Sequence, residues 1–383
     1  MSVARLAGIP GFNIDKVAAA AGSDPEVLRL ENLDTDIPPP EEAIEATRQA
    51  IGTAEGNSWL PFTGRDDLKE AVARLIRRRG GPSYDGPREI VITSGEGDAM
   101  LDALFCLTDP GDEVILTDPT YAGMINRVRL AGADPRLVPL VTQDGAWRLD
   151  VDELSRAVTE RTRVIFLNNA SFPSGWVASD AELEAVAGLC LDRDLWLLYW
   201  GGYEATLFDG LTTRHPASID GMRDRTVTVG SPSFDMRMIG WRIGWVVAPG
   251  DLVNDVSRVQ IYNGLVPSGF NQIGARTALE CDEEHVRAAA AEYERRRDET
   301  MRQLEGLPAV RASGAWSLLL DCAAMGVEPA DLSQRLLAQR VAATPMTGWG
   351  GPVAERHLRF VFSREPVERL ALLGERLRAA LRS

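Results

Sequence analysis

The sequence predicts an α/β protein, with a mostly parallel sheet in a large domain and a smaller α+β C-terminal domain. Three observations carry this reading. Short runs that are apolar throughout alternate with helical patterns between residues 89 and 229, as expected of strands covered by helices on both faces. Near Gln272 the pattern changes to long charged helical segments, followed by shorter strand-like stretches. The 383 residues, 45% apolar and 25% charged, supply core for two or three domains.

The elements follow in order. Pro38-Pro39-Pro40 predicts a stiff linker, because proline fixes φ and donates no hydrogen bond. Glu41 to Ile51 reads as a helix, with Ala43, Ala46 and Ala50 at helical spacing. Asp67 to Arg79 reads as a second, with Leu68, Val72 and Leu75 on one face and Lys69 on the polar one. Strands are expected at 89–93, 113–116, 164–167, 195–199 and 226–229, with a helix from Asp98 to Leu107. Long charged helices are expected from near Gln272, with 275–304 rich in Arg and Glu, then strands at 316–320 and 358–362. The expected division is an N-terminal arm over 1–45 packing on the small domain, a large domain over 46–270, and a small domain over 271–383. In parallel sheets ligands bind beyond the carboxyl ends of the strands, so the chemistry is sought in those loops.

Composition excludes several functions. The 41 basic and 56 acidic residues give a net charge of −15, which repels phosphate backbones and argues against nucleic-acid partners. No apolar run approaches a membrane span and no leader pattern opens the chain, so a soluble cytoplasmic protein is expected. Cys106, Cys190, Cys281 and Cys322 make no metal-ligand spacing and read as buried free thiols. His215, His285 and His357 lie far apart, and no metal site is expected. Lysine is scarce: only Lys16 and Lys69 occur.

Six landmarks in order carry a resemblance. They are Asn57 to Pro61 with Gly64; Pro110 to Ile115 with Asp118-Pro119-Thr120-Tyr121; and Asn168-Asn169 through Pro173-Ser174-Gly175. Then come Ser231-Pro232-Ser233 with Gly240-Trp241-Arg242-Ile243-Gly244-Trp245, Gly314-Ala315-Trp316, and His357-Leu358-Arg359-Phe360. The chain resembles the class I and II aminotransferases, pyridoxal phosphate enzymes of fold type I. The resemblance implies a two-domain homodimer with its site at the subunit interface. It also implies an imine-forming lysine, an aspartate at the pyridine nitrogen and an asparagine at the ring hydroxyl.

At those three positions this sequence has Phe234, Trp200 and Phe172. Each exchanges a polar contact for a bulky aromatic, which reads either as a reshaped pocket or as drift in an unused one. Lys16 and Lys69 both read as solvated charges. The resemblance also implies that Ser231 and Arg242 hold phosphate, Arg359 holds a substrate carboxylate by a two-pronged fork, Tyr121 stacks on the ring and Tyr203 bonds its hydroxyl. Glu96 and Asp98 bring negative charge to the expected phosphate loop, so Arg242 is alternatively a structural ion-pair partner of one of them. Trp59 is expected to line the pocket and Leu33 to narrow it, or simply to pack. Asp235 and Arg237 are expected either as a mutual or surface ion pair, or as a new acid, base or anion holder.

The function expected from these residues is a cofactor-free enzyme on an aminotransferase fold. It would perform acid–base chemistry, such as cyclisation, isomerisation or dehydration, on a small carboxylate with an apolar or aromatic body. Tyr203, Tyr121, Asp235 and Glu96 are the candidate proton-transfer groups. Arg359, Arg242, Ser231, Trp200, Phe172, Phe234, Trp59 and Leu33 are the candidate binding groups, and specialised metabolism is the expected setting. The alternatives are a non-catalytic homologue that binds a small molecule or partner, and an aminotransferase with noncovalently held pyridoxal phosphate.

Overall fold

The computed structural model describes residues 6, 8, 9 and 13–382. The expectation that no leader opens the chain falls partly outside these residues. Eight strands form the main sheet, in the spatial order Ile90–Thr93, Gly244–Val247, Thr226–Gly230, Trp196–Trp200, Thr162–Asn168, Glu113–Asp118, Asp134–Gln143, Ala146–Leu149. The five strands from Thr226–Gly230 to Asp134–Gln143 pair in parallel. Gly244–Val247 runs antiparallel to both neighbours, and Ala146–Leu149 runs antiparallel at the far edge. The mostly parallel α/β architecture is therefore the one the sequence predicts.

All residues of Ile90–Thr93, Thr226–Gly230 and Gly244–Val247 are buried, so both faces of these strands are covered. Helices cover the sheet. The Asp180–Asp192 helix opens with a capping box, in which Ser179 and Glu182 satisfy each other's backbone N–H groups. A second sheet of four strands has the order Ala309–Val310, Ser317–Asp321, His357–Val361, Thr344–Pro345 and is antiparallel where its long strands meet. Near the N-terminus, Leu28–Arg29 pairs in parallel with Val341–Ala342.

The helix Glu41–Ile51 has its expected bounds, with Glu41 and Glu42 in the first turn and Arg48 in the last, complementing the helix dipole. The charged stretch expected to hold long helices is two of them, Gly269–Glu280 and Glu284–Gln303. Cys281 takes an extended conformation (ψ 158°), which ends the first helix before the second begins. Lys69 is buried rather than solvated: its ammonium donates to Thr63 Oγ1 at 2.8 Å and pairs with Asp66 at 2.9 Å. Lys16 is exposed, as expected.

Candidate functional site

The loops at the carboxyl edge of the main sheet converge on one place. Thr93 leads to Gly95 and Glu96, Asp118 to Tyr121, Asn168 to Phe172, Trp200 to Tyr203, and Gly230 to Ser231 and Phe234. Arg242 precedes the antiparallel strand that begins at Gly244, so it arrives at the same edge. From the smaller sheet come Trp316, just before Ser317–Asp321, and Arg359, within His357–Val361.

Aromatic rings fill the centre. Tyr203 stacks on Phe234 with centroids 4.3 Å apart, and Trp316 meets both edge-on at 5.6 and 5.3 Å. Trp200 lies 6.2 Å from Phe234 and 5.7 Å from Tyr121, and Tyr121 reaches Phe172 at 6.0 Å. Phe172, Trp200, Tyr203 and Trp316 are buried. Packing of this kind adds edge-to-face and stacking attraction to the area buried.

At one end of the rings lies Glu96. Its Oε2 accepts the Ser231 hydroxyl at 2.7 Å and the Trp200 indole N–H at 3.0 Å. Burial pushes the Glu96 carboxyl up, against those two hydrogen bonds and the Arg242 and Arg127 charges. Arg242 donates to the Ile239 carbonyl at 3.0 Å. Its guanidinium presses over Gly95, where a Cβ would sit 2.5 Å from Nη2; with φ at +93°, that position is built for glycine.

At the other end lies Arg359, fully buried. Nη2 donates to the Glu31 carbonyl and, at 3.4 Å, to Thr344 Oγ1, while Nε and Nη1 have no hydrogen-bond partner. The guanidinium carbon sits 4.4 Å from the Trp349 ring and 4.9 Å from Phe172. Burial pulls the Arg359 pKa down to about 9. A buried cation with free N–H groups is costly unless an anion joins it. The Tyr203 hydroxyl is likewise buried without a partner, and burial raises its pKa well above the phenol range. It stays protonated and can donate.

Several sequence-singled residues lie elsewhere. Asp235 and Arg237 are buried, but do not pair with each other through their side chains. The Asp235 carboxylate pairs with Arg79 at 2.8 Å and accepts from Thr206 and the Ala205 N–H; Arg237 donates to the Pro38 and Asp235 carbonyls. Asp235 is thereby committed to Arg79 and is withdrawn as a proton-transfer candidate. Trp59 is 74% exposed and packs edge-on against Phe62, away from this cluster within the chain. Leu33 is half-buried, two residues from the Glu31 carbonyl that holds Arg359. Arg79 and Trp349 were not singled out, because their partners are distant in sequence. No group of histidine, cysteine or acidic side chains suited to a metal occurs among the described residues. No helix there is long and apolar enough to cross a membrane.

The family described as aminotransferase class I and II matches residues 27–373. An arginine–pyruvate transaminase of Pseudomonas aeruginosa is 32% identical over 362 residues, covering 92% of this chain and 91% of that protein. An aspartate aminotransferase of Pyrococcus abyssi is 30% identical over 384 residues, covering 99% and 97%. The solved N-succinyldiaminopimelate aminotransferase of Mycobacterium tuberculosis superposes with a TM-score of 0.93 at 30% identity, covering 99% of this chain and 100% of that one. These relatives overturn the expectation of cofactor-free acid–base chemistry. Proteins alike over nine-tenths of the chain are named for amino-group transfer, which points to pyridoxal-phosphate-dependent transamination. The expectation of no cofactor falls with it.

Proposed function

Because the chain belongs to the class I and II aminotransferase family, we propose that it takes a small amino or oxo acid, held by its carboxylate at Arg359. The observation that carries this reading is the pair of buried, unpartnered N–H groups on Arg359, Nε and Nη1. A ligand carboxylate would accept both in a two-pronged fork and supply the missing countercharge. Trp349 and Phe172 would flank the pair and keep water from it. Tyr203 would donate its hydroxyl to the bound molecule.

Amino-group transfer, the reaction its relatives are named for, is the activity to assay first, with pyridoxal phosphate supplied. When bound, that cofactor provides an electron sink for carbanion chemistry. As we read the correspondence, the residues here do not fit it as the resemblance lays it out. Phe234 has no amine to form an imine, Trp200 and Phe172 bring no carboxylate or amide, and Glu96 holds the Ser231 hydroxyl. Lys69 is engaged by Thr63 and Asp66.

A homodimer is part of the same proposal: Trp59 and Tyr262, 74% and 91% exposed, are apolar surface that a second copy would cover. Cytoplasmic placement also belongs to it.

The test is tryptophan fluorescence during titration with a panel of amino and oxo acids, beside a coupled transamination assay with the same panel. Saturable quenching that disappears in Arg359→Ala supports the reading. Absence of binding by any amino or oxo acid, or binding that survives in Arg359→Ala, overturns it.

A further inference from the structure

We infer that the Glu96 carboxylate is an internal anion filling a seat built for an anion, so that a phosphate-bearing ligand enters the seat only by displacing it. This concerns the end of the ring cluster away from Arg359 and does not depend on the amino- or oxo-acid reading.

Donors converge there from four directions. Glu96 opens the twelve-residue helix Glu96–Leu107, whose first-turn N–H groups and dipole favour negative charge. Arg242 lies over Gly95 at the start of that helix. Ser231 Oγ and Trp200 Nε1 both point at one oxygen, Glu96 Oε2, at 2.7 and 3.0 Å. An indole nitrogen can only donate, so this arrangement requires an acceptor at that point. The chain supplies it with the Glu96 carboxylate, with one charge where a phosphate would bring about two.

The consequence is specificity by competition. A phosphate entering beside an unmoved Glu96 would meet a like charge at close range, with Asp98 adding a second one in the same helix turn. With Glu96 displaced, the incoming group inherits the Ser231 and Trp200 donors. Uncharged or singly charged carboxylate ligands of the Arg359 end meet no such opposition. Glu96 is faced by Asp98 on its own helix, Arg127 from Ala122–Ala131, Arg242, Ser231 and Trp200 from the sheet edge, and the Tyr203 hydroxyl. Of these, the carboxyls of Glu96 and Asp98 are both pushed up by burial.

Titration calorimetry of the full chain with sulfate tests this, because sulfate stays a dianion from pH 5 to pH 8; inorganic phosphate at pH 8 is the second probe. The expected result is weak sulfate binding at pH 8 that tightens as the pH falls. In Glu96→Gln, folded by circular dichroism, binding of both anions at pH 8 tightens by roughly ten-fold or more and the pH dependence shrinks. Adding Ser231→Ala to Glu96→Gln removes that gain. A folded Glu96→Gln protein that binds anions as the parent does overturns the proposal, and so does a gain that survives Ser231→Ala.

Discussion

The Tyr203 and Phe234 rings stack at 4.3 Å with planes 20° apart, and Trp316 closes on both from the second sheet. Residue 234 is thus a packing element between two sheets. Truncation there leaves a cavity ringed by side chains that cannot collapse around a backbone fixed by the sheet edge. Phe234→Ala is expected to cost ~3–5 kcal/mol in urea denaturation. A loss under about 1 kcal/mol would mean that the ring is loosely held.

Arg359 ties ligand affinity to alkaline pH. Its pKa is pulled down to about 9 by burial, so the charge that holds a carboxylate is present below that value and is lost above it. Affinity for a carboxylate ligand should fall as the pH passes about 9 and be flat between pH 7 and 8. Arg359→Lys, which keeps a charge but loses the planar fork, should bind roughly ten-fold or more weakly. An affinity profile level to pH 10 would refute the assignment.

Asp102 should make stability fall with rising pH. It is buried in the Glu96–Leu107 helix; Oδ1 accepts from Asn263 at 2.9 Å and Oδ2 has no partner. Burial pushes its carboxyl up to about 7, the Asn263 hydrogen bond pulling the other way and Asp98 adding to the rise. Between the ordinary value and about 7 the folded chain keeps a proton that the unfolded chain releases. Stability from this group is therefore present in acid and lost as pH rises through that window. Asp102→Asn should be the more stable protein at pH 8, by no more than ~4 kcal/mol, with the advantage gone near pH 4. Parallel denaturation profiles of the two proteins would count against this.

The Arg79–Asp235 pair should behave as structure. Asp235→Asn leaves a buried guanidinium with Glu204 at 3.5 Å as its remaining carboxylate partner, and should cost about 3 kcal/mol. Carboxylate affinity at full folding should be unchanged. A folded variant with affinity lost would return Asp235 to the site.

What the sequence made legible was governed by locality. The helix Glu41–Ile51 and the strands at the sheet centre are set by apolar spacing, proline and end charges within a dozen residues, and all could be read. The split at Cys281 could not, because the charged helical pattern runs through it. Lys69 was misread although its partners, Thr63 and Asp66, are close in sequence, because the helix Asp66–Arg78 buries Lys69 along with its apolar residues. Glu96, Ser231 and Trp200 were each singled out, yet nothing local announces that three loops from three strands meet at one oxygen. Arg79 was missed for the same reason: its carboxylate is 156 residues away. The reaction expected from the three aromatics was the largest error, since side chains at a site say less about reaction class than nine-tenths of a chain shared with named relatives.

Trp316 belongs to the smaller sheet by sequence and to the larger by contact. Ser317 beside it donates to the Pro173 carbonyl at 2.8 Å, and the Ser313 N–H to the Gly175 carbonyl at 2.8 Å. Opening either sheet therefore breaks ring contacts and hydrogen bonds of the other. Amide protons in Ser317–Asp321 and Trp196–Trp200 should exchange with solvent at one common free energy, as a single cooperative unit, and Trp316→Ala should split that unit in two.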